Sequence, residues 1–295
     1  MHNFHKNTRF EYLIKVKKTF SLKSVLFILI SSFCFSVLGG LIKYLSDYFH
    51  AFEQAFFRNI FSIILLIPIL AWFKINPLKT KKQKLLIIRS IFGGITMILL
   101  FWSYTLIPLS QAMAISFSTP LFTFIGSVFI FKEQPSKNKY FALLFGFLSV
   151  IVIIRPDLTI ETGTYVALFA AITHAITALI VKQLTQTESI LSIMFFMVLL
   201  MTPITAFPAL TVWKTPNEII FIFFFICLAI IGTLGNYFWT KSISISQMTS
   251  IMPFDFSKLI FAIIIGHYFF DEKIDIITFV FGCGLILCNL MLVRK

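Results

Sequence analysis

Two opposite charges lie three residues apart inside the apolar stretch 247–270, which is long enough to cross a bilayer. Asp255 and Lys258 share one face of the predicted helix, roughly 12–16 Å beyond its start at 1.5 Å per residue. An ionisable group at this depth is costly unless it is paired or hydrated, and such groups commonly mark a solute pathway. The carboxylate can attract a cationic centre, and the ammonium group can attract a carboxylate. The alternative is an ion pair that neutralises itself and fixes the helix.

Other ionisable side chains also fall inside apolar stretches. Arg58 lies about two turns into the second stretch, where it either contacts a substrate or pairs with Glu53, five residues earlier. Arg89 and Lys43 lie near predicted helix ends, so we expect both to reach the interface by snorkelling. His174 is a candidate proton relay, although a single histidine in a span is more often simply hydrogen-bonded.

Aromatic and polar side chains near these charges are candidates for recognising a ligand, because aromatic faces bind cations and stack on purines. The aromatic candidates and the amide candidate are Trp102, Trp239, Tyr104, Phe117, Phe256 and Asn236. The hydroxyl candidates are Ser116, Ser118, Thr119, Ser250 and Ser257. The chain contains 38 Phe, so ordinary packing explains most aromatic residues equally well. Each hydroxyl can also be satisfied by its own helix.

The elements that position these groups must be membrane spans. Hydrophobic residues make up 58% of the chain and charged residues only 13%, and the mean hydropathy is +0.94. A soluble domain of this composition would lack a polar surface. Because one crossing needs about 20 helical residues, the sequence predicts an all-α polytopic membrane protein of ten transmembrane helices. Their predicted ranges are 24–45, 52–73, 86–106, 110–131, 139–155, 163–182, 190–212, 218–240, 247–270 and 274–293.

The basic residues predict the orientation of these spans. Residues 1–23 form a polar, basic tail, and we expect a retained first helix after it rather than a cleaved signal peptide. Lysine and arginine are concentrated in this tail and in alternate loops, which places both termini in the cytoplasm. The net charge of +13 is therefore interpreted as a topology signal, and no nucleic-acid partner is expected.

Neither catalysis nor a cofactor is indicated by the sequence. Its four cysteines lie inside predicted spans without metal-ligand spacing, and its five histidines form no local ligand motif. We therefore expect no catalytic residue, no metal and no cofactor. A membrane-embedded enzyme and a scaffold subunit are the alternatives from other functional classes.

An internal repeat links two parts of the chain. The segments that recur are Phe101-Trp102-Ser103 with Ser110-Gln111, as Phe238-Trp239-Thr240 with Ser246-Gln247, and Phe117-Ser118, as Phe256-Ser257. This order pairs the third and fourth helices with the eighth and ninth, so the repeat unit has five helices. The predicted repeats are 24–155 and 156–295, within a single membrane unit. Since five is odd, the second copy must insert inverted, which is a transporter design.

These features resemble the drug/metabolite transporter superfamily, EamA type. The resemblance rests on ten helices in two halves, Arg58 early in the second helix, the Pro120 to Glu133 pattern of the fourth helix, and Glu272 at the end of the ninth. It implies structural or gating roles for Pro120, Glu133 and Glu272. Pro253 is a further structural candidate, because proline removes a backbone hydrogen bond from its helix. The ninth helix departs from the pattern, because Leu259 stands where the repeat leads us to expect proline.

Within this superfamily, the sequence most resembles the S-adenosylmethionine uptake carriers of obligate intracellular bacteria. The resemblance implies a secondary active transporter that imports S-adenosylmethionine across the bacterial inner membrane by alternating access, with exchange as one source of work. That substrate carries a carboxylate, an amino group, a sulfonium and an adenine, so its site needs both signs of charge and aromatic faces. The alternative is an EamA-type exporter of amino acids or other small metabolites or drugs. The expected partners are the substrate and membrane lipid, and a homodimer is left open.

Overall fold

The computed structural model describes residues 21–77, 79–80, 82–107, 115–154 and 161–270, with 276, 280–284, 286 and 287 beyond them. All regular secondary structure in these residues is helical. The helices are α1 Leu22–Leu45, α2 Ala51–Trp72, α3 Gln83–Leu106, α4 Thr119–Phe131, α5 Lys137–Ile154, α6 Thr162–Leu184, α7 Ile190–Leu210, α8 Ile219–Ile245, α9 Met248–Asp255 and α10 Ser257–Phe270. The predicted tail, apart from its last three residues, and most of the predicted tenth span lie outside the described residues.

Seven helical stretches of the described chain are long and apolar enough to cross a membrane. They are α1, α2, α3, α6, α7, α8, and α9 taken together with α10. The helix α4 is a shorter apolar helix. The predicted first, second and seventh spans agree with α1, α2 and α7 to within about two residues at each end, because a sustained apolar run sets the ends of a span.

The distribution of polarity is the reverse of that in a soluble protein. Large apolar side chains such as Trp72 and Ile219 are 84% and 85% exposed, whereas Glu133, Asp255 and many hydroxyl groups are buried. A soluble protein would bury the first group and expose the second. This arrangement is expected where lipid is the solvent, since polar groups must then be satisfied inside the protein.

Two of the predicted spans are interrupted rather than continuous. The predicted ninth span breaks at Phe256 into α9 and α10, and the predicted fourth span breaks at Phe117 and Ser118, just before α4. At the two breaks, Ser118 and Ser257 each donate a 2.6 Å hydrogen bond to the carbonyl oxygen three residues earlier. The rings of Phe117 and Phe256 lie 6.4 Å apart between centroids. The two interruptions therefore meet inside the protein.

Most of the extensive helix contacts join one of the first five helices, α1–α5, to one of the last five, α6–α10. The helix α3 packs along α6, α1 packs along α8, and α2 packs along α7. Further contacts join α3 to α7 and α2 to α8, and they also join α6 to α4, α1 to α10, and α9 to α4. Helices from both halves therefore surround the two interruptions.

Candidate functional site

The Asp255–Lys258 pair bridges the interruption between α9 and α10. Lys258 Nζ lies 2.8 Å from Asp255 Oδ2 and 2.7 Å from Oδ1, so the predicted shared face is present. Asp255 is buried and Lys258 is half-buried. The helix α1 supports the lysine, because Nζ lies 5.2 Å from the centre of the Phe35 ring and Ser36 Oγ donates to the Lys258 carbonyl oxygen at 2.8 Å. The charged pair thus belongs to a discontinuous helix, the arrangement from which many carriers build a substrate site.

Arg58 is buried in α2, and Glu53 is not its counter-ion. Glu53 instead accepts hydrogen bonds from the backbone N–H groups of His50 and Lys214. The predicted alternative of an Arg58–Glu53 pair is therefore wrong, because a spacing of five residues places two side chains roughly 140° apart around a helix. The Arg58 guanidinium lies against Gly232 of α8, where a Cβ atom would come within 2.7 Å of Nε. Arg58 Nε has no hydrogen-bond partner.

Arg89 is also buried, so the expectation that it snorkels to the interface is wrong. The helix α3 begins at Gln83, three residues before the predicted start, which places Arg89 deeper in the span. Its Nη1 atom donates to the sulfur of Met201 at 3.6 Å, and its Nε atom has no partner. Arg89 lies within electrostatic range of Arg58.

An aromatic platform lies beside these charges. The rings of His174 in α6 and Trp239 in α8 are stacked, with 6.4 Å between centroids and an interplanar angle of 28°. His174 is exposed although it lies near the middle of its helix. It is within electrostatic range of Asp255, Lys258 and Arg89. The structure brings together a histidine and a tryptophan that no sequence spacing connects.

The other residues predicted to contact the substrate differ in burial and in their hydrogen bonds. Phe117 is buried against Phe256 at the interruptions, as described above. Asn236 is half-buried, and its Nδ2 atom donates to the Gly232 carbonyl oxygen of its own helix at 2.8 Å. Trp102 is 44% exposed. The side chain of Tyr104 lies outside the described part of the chain.

The hydroxyl candidates mostly bond to backbone. Ser118 and Ser257 satisfy their own helices, as already described, and Thr119 Oγ1 donates to the Ala171 carbonyl oxygen at 3.3 Å. Ser250 is buried and Ser116 is half-buried. The Ser118 and Ser257 contacts fit the local hydrogen bonding that hydroxyl side chains favour, whereas the Thr119 contact joins α4 to α6.

Two buried charges secure the junction between α8 and α9. The Glu133 carboxylate accepts hydrogen bonds from the N–H groups of Met248 at 3.0 Å and Thr249 at 2.9 Å. On the other side of the junction, Lys182 Nζ donates to the Ser246 carbonyl oxygen at 2.6 Å. An acidic group thus caps a helix N-terminus and a basic group caps a helix C-terminus, which is the favourable sense for both helix dipoles.

The two predicted prolines lie near a helix end and a helix break. Pro120 is the second residue of α4, where the missing N–H has no intrahelical partner to lose. Pro253 lies inside α9, three residues before the interruption at Phe256. Glu272 lies outside the described residues.

We call five ionisable side chains the central cluster, because His174 lies within electrostatic range of Arg89, Asp255 and Lys258, and Arg89 lies within range of Arg58. Their charges do not balance. Arg58, Arg89 and Lys258 oppose a single carboxylate, that of Asp255, which leaves a net charge of +2 while His174 is neutral. Among the described residues, no group of three or more His, Cys, Asp or Glu side chains is placed to hold a metal ion. The cluster is therefore suited to bind an organic ion with a carboxylate, and it offers one carboxylate to a cationic centre.

Known proteins resemble this chain in sequence and in fold. An "S-adenosylmethionine uptake transporter" of Rickettsia prowazekii is 30% identical over 262 residues, 86% of each chain. A protein of the same name from Rickettsia conorii is 32% identical over 241 residues, 79% of each chain. The human "Solute carrier family 35 member G1" is 28% identical over 83% of this chain and 71% of its own length. A crystal structure at 14% identity superposes with a TM-score of 0.75, covering 92% of this chain and 96% of that chain, which shows a shared fold.

The family itself is shown by a match that occurs twice. The model of the EamA-like transporter family matches residues 22–155 and again residues 161–294. Together the two matches cover nearly the whole chain, and the Rickettsia relatives align over most of it. The proteins named in these comparisons are carriers and not enzymes. This multi-pass membrane protein belongs to the EamA-like transporter family.

Proposed function

We propose that this chain is a secondary active carrier that imports S-adenosylmethionine across the bacterial inner membrane by alternating access. The Rickettsia proteins of that name support the substrate, since they align over most of this chain. The sequence contains no phosphate-binding loop of the Walker type, so exchange against a related compound or an ion gradient supplies the work.

The observation that carries the proposal is the ion pair across the broken ninth span. Asp255 ends α9 and Lys258 lies at the start of α10, so their contact holds the two helices in one relative position. When the substrate binds, its amino or sulfonium group replaces the Lys258 ammonium group as the ionic partner of Asp255. The substrate carboxylate then binds Lys258 or Arg58. An exchange of ionic partners at this point couples binding to movement of α9 against α10.

The aromatic platform supplies a surface for the adenine. The stacked rings of Trp239 and His174 lie beside the charges, and a purine can stack on such a surface. We assign further contacts to Trp102, Tyr104 and Phe117, and we assign a hydrogen bond with the adenine edge to Asn236, whose Oδ1 atom remains available after its Nδ2 atom bonds Gly232.

We infer a ten-helix architecture built from two inverted five-helix repeats, approximately 24–155 and 156–295. The double family match supports two similar halves. The helix contacts also support it, because the most extensive contacts between the halves have counterparts when the halves are exchanged. The contact of α1 with α8 corresponds to that of α6 with α3, and the contact of α3 with α7 corresponds to that of α8 with α2.

We infer that both termini lie in the cytoplasm, because an even number of spans puts them on one side and the basic residues of the tail and alternate loops indicate which side. The contacts between loops support the alternation of faces in this topology, because they join loops that it assigns to the same face. Glu53 at the start of α2 contacts Lys214 after α7, both on the outer face. Glu133 after α4 contacts Met248 at the start of α9, both on the cytoplasmic face.

We assign gating to the two ends of the proposed pathway. Glu133 and Lys182 hold the α8–α9 junction and close the cytoplasmic side. Lys43 lies two residues before the end of α1, as Lys182 does in α6, and its Nζ atom lies 4.4 Å from the centre of the Phe270 ring. The repeat therefore assigns the equivalent outer gate to Glu272 and Lys43, while Pro120 and Pro253 shape the two interruptions.

Reconstituted vesicles test the proposed function. We expect saturable uptake of labelled S-adenosylmethionine, faster when the vesicles contain S-adenosylhomocysteine. Asp255→Asn should reduce uptake at least tenfold, because the amide cannot attract a cation, whereas Asp47→Asn in an exposed loop should leave uptake unchanged. Absence of saturable uptake by the wild-type protein, with and without the internal compound, would refute the substrate. Full uptake by a normally inserted Asp255→Asn variant would refute the role of Asp255.

A further inference from the structure

Two buried guanidinium groups have no acidic partner among the described residues. Arg58 in α2 is 9% exposed and Arg89 in α3 is 7% exposed. The Nε atom of each group is buried without a hydrogen-bond partner. Arg89 Nη1 donates to the sulfur of Met201, which is a weak acceptor. The two arginines approach the same stretch of α7, because Arg89 contacts Met201 and Asn59, the residue after Arg58, donates to Thr205 one turn further along at 3.2 Å. Each also lies within electrostatic range of the other. Their mutual repulsion is therefore uncompensated by the protein groups that the structure describes.

The described carboxylates are all engaged or located elsewhere. Glu53 accepts from backbone N–H groups next to α2, Glu133 caps α9, and Asp255 is paired with Lys258. The other described acids lie in loops, namely Asp47, Glu161, Glu188 and Glu218. A buried cation without a partner is strongly unfavourable, and two neighbouring cations are more so. None of the described carboxylates compensates the two cations, so an anion that arrives with the substrate is a suitable partner for them.

We propose that Arg58 and Arg89 together form a carboxylate subsite, and that Arg89 gives the carrier its preference for substrates with a carboxylate. Arginine suits this role because its planar guanidinium presents paired N–H donors to both oxygens of a carboxylate. His174 lies within electrostatic range of both Arg89 and the Asp255–Lys258 pair. A substrate with a cationic and an anionic end is thus oriented, with its cation at Asp255 and its carboxylate at the arginine pair.

For the identity of the carboxylate, this inference rests on the proposed function, and one substrate pair tests it. S-adenosylmethionine and its decarboxylated analogue differ only in the carboxylate. Arg89→Gln should weaken the apparent affinity for S-adenosylmethionine by about tenfold or more, the effect of losing a charged hydrogen bond. The same variant should leave the affinity for the decarboxylated analogue unchanged or improved. Arg89→Lys should restore part of the preference, and Lys84→Gln, an exposed position on the same helix, should preserve the wild-type preference.

The contrary outcomes are equally specific. If Arg89→Gln weakens binding of both compounds equally, Arg89 supports the fold and the carboxylate subsite is refuted. A small free anion is the other source of the same negative charge, so uptake is compared in chloride and in gluconate. Chloride-dependent uptake of both compounds would assign the arginine pair to a free anion and would overturn the proposal.

Thermal stability in detergent tests the arginine pair without any substrate. If the two cations repel each other without a partner, Arg89→Met should unfold at the wild-type temperature or above it. A drop of several degrees would show that Arg89 stabilises the fold and would contradict the inference. This measurement remains decisive even if the wild-type carrier transports neither compound, an outcome that refutes the proposed substrate alone.

Discussion

Replacement of Glu133 by glutamine should loosen the α8–α9 junction selectively. In the wild-type protein, both carboxylate oxygens accept from backbone N–H groups, at 3.0 Å and 2.9 Å. The glutamine side chain keeps one acceptor oxygen, but its NH₂ group faces the second backbone N–H and cannot accept from it. The variant therefore loses one charge-assisted hydrogen bond, which costs about 2 kcal/mol. That loss corresponds to about a 30-fold increase in local opening. Amide hydrogen exchange at Met248 and Thr249, followed by mass spectrometry, should accelerate by this factor.

The chain contains its own control for this experiment. Glu53 also accepts from two backbone N–H groups, those of His50 and Lys214, at the other end of the bundle. Glu53→Gln should therefore accelerate exchange at His50 and Lys214 and leave the α8–α9 junction protected. Unchanged exchange at that junction in Glu133→Gln, or equal acceleration there in both variants, would refute the assignment of Glu133 as a local clamp.

Two further predictions concern topology and packing. In a variant without its native cysteines, thiol labelling should find Lys137→Cys accessible from the cytoplasm and Lys214→Cys accessible from outside, and labelling of both from one side would contradict the proposed orientation. Gly146→Ala should destabilise the protein by about 1–3 kcal/mol, because its Cβ would overlap the buried ring of Phe256. Gly39→Ala meets no atom within 4 Å and should not destabilise it, so equal effects of the two alanines on thermal stability would refute this reasoning.

Much of the fold follows from hydropathy alone, because the length of an apolar run sets where a span begins and ends. The interruptions do not follow from it. Phe117 and Phe256 lie inside stretches long enough to be predicted as single spans, and the nearby prolines, Pro120 and Pro253, did not predict where the helix would break. A break in such a run depends on what surrounds it, and here the surroundings are the other broken helix.

The site was predicted in part. The spacing of Asp255 and Lys258 was sufficient to predict their contact, since it depends on one helix face. Arg89 was misplaced because a shift of three residues in the start of α3 changes its depth by about one turn. The partners of Glu133 lie 115 and 116 positions along the chain, and no local pattern connects residues so far apart.

The contact between Phe117 and Phe256 has a consequence for how this sequence can change. The two rings occupy matching positions in the two stretches that the family model matches, yet each is a neighbour of the other. A larger side chain in one copy takes space from its twin, so substitutions here must be reciprocal. At this point, a change of side-chain size in one half therefore constrains the matching residue in the other half.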